Sequence, residues 1–164
     1  MHGDGSVFYT QPVIDIGIRK TGLASRLSNL VARQFELDGV VLASIEGGLQ
    51  ASKCEDPLAF YELASMSGYR AWKRGQDFNS WKQNPIQVLY WIGRPIRRHS
   101  VEYADHLDRL YAACYSQCQE YRDALAESLG STLTHVGKHD PFDTILTVGE
   151  YITRLDRLRF GTLR

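Results

Sequence analysis

Glu46, Gln50 and Lys53 stand in the stretch "SIEGGLQASK" at i, i+4 and i+7. On an α-helix that spacing places all three side chains on one face. A carboxyl and an amine side by side can move a proton, steady a developing positive charge, or attack an electrophilic carbon. Taken alone, the pattern is weak, because a glutamate and a lysine sharing a helix face usually sit in water. Gly47 and Gly48 follow the acid directly, and each lowers helix propensity by about 1 kcal/mol relative to alanine. Such a penalty fits a backbone that must come close to a neighbour or a ligand, and equally fits a poor helix start.

The elements that position these residues are partly legible. Ser44 stands at an N-cap position, although Gly47 rather than an acid follows three residues on, so no full capping box forms. Ahead of it, residues 33–44 read as a β-hairpin around Asp38-Gly39, the strongest short turn signal in the chain. Residues 6–18 are aromatic and β-branched and read as a strand, broken at Pro12. Residues 21–30 read as loop. Residues 56–75 carry helical patterning, with Pro57 at a first-turn position after Asp56. Residues 77–100 are mixed. Residues 100–130 hold two helices or one long one, begun at Ser100 and stopped at Gly130. A strand over 131–136, a loop and an amphipathic helix over 147–159 complete an α+β chain, mainly helical and packed on a small β-sheet.

Bulk properties exclude several classes. With 164 residues the chain suits a single domain. Lys plus Arg and Asp plus Glu both number 19, so net charge is zero and no whole-protein grip on nucleic acid or an anionic membrane is indicated. No run reaches the roughly 18–20 apolar residues of a membrane span, and the N-terminus lacks a signal core, so a soluble cytoplasmic protein is expected. Cys54, Cys114 and Cys118 offer no second pair for a structural zinc site. His99, His106, His135 and His139 have no ligand spacing, so no metal is expected.

Read in order, "LSNL" (27–30), "FELDG" (35–39) and "SIEGGLQASK" (44–53) resemble the opening of the NADAR (YbiA-like) family, whose pattern runs L-S-N-F, strand, D-G turn, S-[VI]-E-H-x-x-Q-A-x-K. Leu27, Ser28, Asn29, Asp38, Gly39, Ser44, Glu46, Gln50, Ala51 and Lys53 occupy the matching places. Residues 115–135 and 147–159 are similar to the family's later helix, turn and strand and to its closing helix, so the resemblance covers roughly 27–53 and 104–159. The sequence departs from the pattern at Gly47, where the family carries histidine. It departs again in "HDPFDTIL", which lacks the family's Trp-Gly loop, and over 82–103, which looks like an insertion.

The resemblance implies an N-glycosidase acting on a ribosyl C–N bond. Its substrate would be small and nucleotide-derived: ADP-ribosyl-guanine, free or in nucleic acid, or a ribosylamino-pyrimidine phosphate. Such chemistry needs a carboxylate near an oxocarbenium-like carbon and a proton for the departing base, and requires no metal or cofactor. Glu46 is then general acid/base or oxocarbenium stabiliser, and Lys53 nucleophile or electrostatic partner. Asp140 closes the site, Ser28 and Asn29 hold ribose hydroxyls, and Gln50 orients its neighbours. Each has a plainer reading: Asn29 and Asp140 as turn residues, Gln50 as an ordinary helix hydrogen bond. Trp72 and Arg74, with Arg70, would stack a base and hold phosphate. Trp91 and Arg94, with Arg97, would form a lid over a diphosphate. A helix aromatic is more often core, and loop arginines are more often solvated. The alternative is an inactive binding module that sequesters an ADP-ribose-like signal.

Overall fold

The computed structural model describes residues 10–163. Its elements are β1 (Val13–Ile16), α1 (Leu23–Arg26), β2 (Phe35–Leu37), β3 (Val40–Leu42), α2 (Ile45–Ala51), α3 (Pro57–Ala64), α4 (Gly68–Gly75), a 3-10 segment (Gln76–Gln83), β4 (Val88–Trp91), β5 (Arg94–Arg97), α5 (Val101–Gln117), α6 (Gln119–Glu127), β6 (Thr132–His135) and α7 (Val148–Arg159). The α+β class stands, with strands gathered as three two-stranded pairs among the described residues. β1 and β6 run parallel, Ile14 beside Leu133 and Ile16 beside His135. The strand expected over 6–18 lies partly outside the described residues.

Local signals act where they were read. Asp38 and Gly39 both take positive φ, 52° and 80°, the geometry of the tight turn that joins β2 to β3. Ser44, Asp56 and Ser100 each accept a backbone N–H from the first turn of their helix. Other expectations need correction. The loop over 21–30 contains α1, fastened to α6 by Arg26 ion pairs to Glu120 and Glu127 at 3.1 and 2.8 Å. The helical stretch 56–75 is two helices, separated at Ser65–Ser67 before Gly68 at φ 66°. Residues 77–100 contain a second hairpin, β4–β5, turning at Ile92-Gly93 with φ 51° and 73°. Isoleucine rarely adopts positive φ, so no local signature announces this turn. Residues 100–130 form two helices, which break at Cys118.

α2 is the buried axis: every residue from Ile45 to Ala51 is shielded from solvent. The two glycines are there for packing. A Cβ on Gly47 would stand 2.5 Å from the Met66 carbonyl oxygen and 2.8 Å from that of Leu63, and one on Gly48 would stand 2.9 Å from Leu110 Cδ1. Ser44 strengthens the join: its Oγ accepts from Gly47 N and donates to the Met66 carbonyl, both at 2.9 Å. Leu42, Ile45, Leu49, Leu63, Leu107 and Leu110 belong to the surrounding core. Backbone oxygens cannot give way as a flexible side chain can. Gly47→Ala is therefore expected to lower unfolding free energy by about 2 kcal/mol, the scale of overpacking, as measured by urea denaturation.

Candidate active site

A cleft of about 640 Å³ opens along the polar edge of α2. Its walls come from the carboxyl ends of the parallel strands β1 and β6, the loop at 28–30, helices α2 and α4, the 3-10 segment, and the 143–148 segment leading into α7. Open α/β sheets commonly bind ligands beyond the carboxyl ends of parallel strands, and here Gly17 and Val136 follow those ends directly.

Glu46 is only 7% exposed and lines this cleft. Its Oε1 accepts a 2.7 Å hydrogen bond from Gln50 Nε2. Burial pushes the Glu46 carboxyl above the ordinary glutamate range, against the opposing pull of the Gln50 bond and the charges of Lys53 and His135. Lys53 donates from Nζ to Asn79 Oδ1 at 2.7 Å and to the Gly75 carbonyl at 3.1 Å. Burial pulls its amine down to about 8; Glu46 opposes this, while Lys82 and Lys138 add to it. Gly75 packs tightly beside this pair: a Cβ there would lie 1.9 Å from Gln50 Oε1 and force that side chain to move. The arrangement holds a carboxyl whose grip on its proton is strengthened by burial in the same cleft as an amine whose grip is weakened. Such perturbed pairs are what acid-base and nucleophilic catalysis require.

The loop carrying Ser28 and Asn29 is held from below. Tyr111 of α5 donates to Asn29 Oδ1 at 2.9 Å, and Tyr151 of α7 donates to the Leu27 carbonyl at 2.6 Å. The Asn29 carbonyl in turn accepts from Glu46 N at 2.9 Å, satisfying one of the free amides in the first turn of α2. With Oδ1 turned toward Tyr111, the Asn29 Nδ2 donors remain for a ligand. Ser28 Oγ accepts from Leu30 N at 3.2 Å.

Six expected residues share the cleft: Ser28, Asn29, Glu46, Gln50, Lys53 and Trp72. Trp72 lies at the rim, stacked on Tyr69 with ring centroids 5.5 Å apart. Four lie elsewhere. Asp140 is exposed, and its Oδ1 accepts from Phe142 N at 2.9 Å, a local turn closure rather than a wall of the cleft. Arg74 is committed to Glu62 and Asp77 at 3.0 and 2.6 Å. Trp91 is buried against Phe60 and His106, with Nε1 donating to Asp38 Oδ2 at 2.9 Å. Arg94 is 78% exposed on the surface, 3.5 Å from Glu102. The lid expected of Trp91, Arg94 and Arg97 is therefore absent from the cleft, because β4–β5 turns its tryptophan inward.

His135 is the member that sequence reading passed over. It lines the cleft, and its Nδ1 lies 2.8 Å from the Ile16 carbonyl. A carbonyl only accepts, so Nδ1 is the donor in this contact and Nε2 is the ring nitrogen it leaves over. The signal available was its place at the end of an alternating strand, but the pairing with β1 spans 119 residues. Residues 82–103 also act here at a distance. Arg98, 3% exposed, grips Glu150 at 3.1 and 2.6 Å and the Thr144 carbonyl at 2.9 Å, fixing the 143–147 wall. Although burial pushes the Glu150 carboxyl up, Arg98 and the capping amides hold it below its usual range. Among the described residues no cluster of three or more His, Cys, Asp or Glu is placed to hold a metal ion, and no helix is long and apolar enough to cross a membrane.

The family model described as bacteriophage protein GP30.3 matches residues 22–160. An uncharacterized 17.1 kDa protein of the Gp30–rIII intergenic region in Enterobacteria phage T4 is 30% identical over 135 residues, covering 81% of this chain and 88% of the relative. The NMR structure of the E. coli protein YbiA superposes with a TM-score of 0.59 at 18% identity, covering 94% of this chain and 86% of that one. At that identity the likeness establishes a shared fold.

The depressed Lys53 amine has a measurable consequence. Between about 8 and the ordinary value of 10.5, the unfolded chain binds a proton at this position that the folded chain does not. Lys53 therefore makes the fold gain stability as pH rises through that window. In Lys53→Met this part of the slope should vanish, read as the difference between wild-type and variant urea unfolding from pH 7.5 to about 10.

Proposed function

The chain belongs to the bacteriophage GP30.3 protein family, within the NADAR clan, and on that premise we propose that it is an N-glycosidase that hydrolyses a ribosyl C–N bond in a nucleotide-derived substrate. The observation that carries this reading is the buried Glu46, its carboxyl raised and tied to Gln50, facing the same cleft as the lowered Lys53 amine. Cleavage of a glycosidic C–N bond needs a proton for the departing base and negative charge for the oxocarbenium-like carbon. A buried Glu46 supplies both in turn: it donates its proton to the leaving nitrogen, and the carboxylate so formed stabilises the sugar cation. Water then adds to the anomeric carbon and passes its proton to His135 Nε2, the ring nitrogen not engaged by the Ile16 carbonyl.

Lys53 has two roles open to it. With its amine at about 8, roughly a tenth is neutral at pH 7, enough to attack an opened sugar as a nucleophile; the protonated remainder acts electrostatically. The Asn29 amide donates to ribose hydroxyls, and the Tyr69–Trp72 pair at the rim gives a base a face to stack on. The substrate classes that fit are ADP-ribosyl-guanine and a ribosylamino-pyrimidine phosphate.

Incubation with each substrate, followed by mass spectrometry of released base and sugar, tests the reading. Wild type is expected to release base, and Glu46→Gln to lose about 10²–10⁴-fold in kcat while binding within a few-fold of wild type. Borohydride added during turnover traps a Lys53 adduct if the amine attacks carbon and leaves none if it acts by charge. No release from either substrate, with ADP-ribose still bound, would make the protein a binding module.

A further inference from the structure

Five basic side chains line the cleft (Arg19, Lys20, Lys53, Lys82 and Lys138) against three carboxylates, Asp15, Glu46 and Asp143. In a chain of zero net charge the cleft thus carries a local basic excess. Two of the lysines converge on a single partner. Lys82 Nζ lies 3.2 Å from Asp143 Oδ1, and Lys138 Nζ lies 3.0 Å from Asp143 Oδ2. They come from different segments, one from the 3-10 segment and the other from the loop after β6. Both lie near enough to Lys53 to oppose its protonation. The Asp143 and Lys138 side chains are about half exposed, at 53% and 54%, so as a structural tie the cluster contributes little.

We infer that Lys82 and Lys138 form a phosphate subsite of the cleft, which the Asp143 carboxylate occupies in the free protein and vacates when a phosphorylated ligand enters. Two ammonium groups holding the two oxygens of one carboxylate present the arrangement that two oxygens of a phosphate would meet. A phosphate carries more charge and a third oxygen, so it outcompetes the carboxylate for the same donors. The arginines expected to hold phosphate do not compete for this role: Arg74 is already paired twice and Arg94 stands outside the cleft. This inference rests on reading the cleft as a substrate site and assigns the residues that would hold the phosphate which both proposed substrate classes carry on the reacting sugar. Asp143 becomes a positioning residue that keeps the two lysines apart and oriented until that group arrives.

Calorimetric titration of ribose 5-phosphate and of ribose into the full chain tests this without any turnover. Wild type is expected to prefer ribose 5-phosphate by about tenfold or more, with Lys82→Met and Lys138→Met each losing about that factor. Asp143→Asn, which keeps the side chain's shape and removes the competing charge, should tighten ribose 5-phosphate by about threefold to tenfold and leave ribose unchanged. Arg94→Met alters net charge equally outside the cleft and should change nothing. Equal affinity for both sugars, no binding of either at millimolar concentration, or the same loss in Arg94→Met as in the lysine variants would overturn the subsite. Preference for ribose 5-phosphate without cleavage of any glycosidic substrate would uphold the subsite while removing the glycosidase reading.

Discussion

The approach of α2 to the end of α3 and to α5 governs this molecule. Gly47 and Gly48 let backbone meet backbone carbonyls and leucine methyls at distances that no Cβ could share. Because α2 is thereby buried on all sides, its polar residues have nowhere to go but the one gap in the packing. Glu46 and Gln50 face that gap, and Lys53 joins them from the turn that follows α2. The loss of helix propensity at two glycines, about 1 kcal/mol each, is the cost of placing a carboxyl where water is scarce.

Scarcity of water is what shifts both groups. An exposed glutamate and lysine seven residues apart would each keep its ordinary charge. Here burial raises the acid and lowers the amine, and their mutual attraction opposes both shifts without cancelling them. The surrounding polar atoms are spent on position. Asn79 and Gly75 hold Lys53, Gln50 holds Glu46, and two tyrosines from α5 and α7 hold the Asn29 loop. Each clamp comes from a different element, so the site depends on the whole core being formed.

The stretch 82–103 shows how a segment remote in sequence can serve a site without lining most of it. Trp91 turns inward to pack on Phe60 and His106 and to meet Asp38, which also pairs with Arg109. Arg98 turns the other way and fastens the wall that leads into α7. Of the residues that look suited to grip a diphosphate, Trp91 is structural while Arg94 and Arg97 stand exposed, because their hairpin is docked against α5 rather than against the cleft.

By itself, the sequence determined what acts over a few residues. The Asp38-Gly39 turn, the caps at Ser44, Asp56 and Ser100, and the common face of Glu46 and Gln50 follow from backbone conformation and helical period, whereas α2 ends at Ala51 and Lys53 reaches the cleft from the turn beyond it. The ordered motifs from Leu27 to Lys53 carry the family as well. Only the tertiary structure decided what those residues meet. It turned Asp140 into a turn closure, withdrew Arg74, Trp91 and Arg94, and brought His135, Lys82, Lys138 and Asp143 to the cleft. Those placements depend on contacts between residues tens to more than a hundred positions apart, such as His135 on Ile16. No local propensity records such a contact, because burial and charge are properties of the assembled neighbourhood.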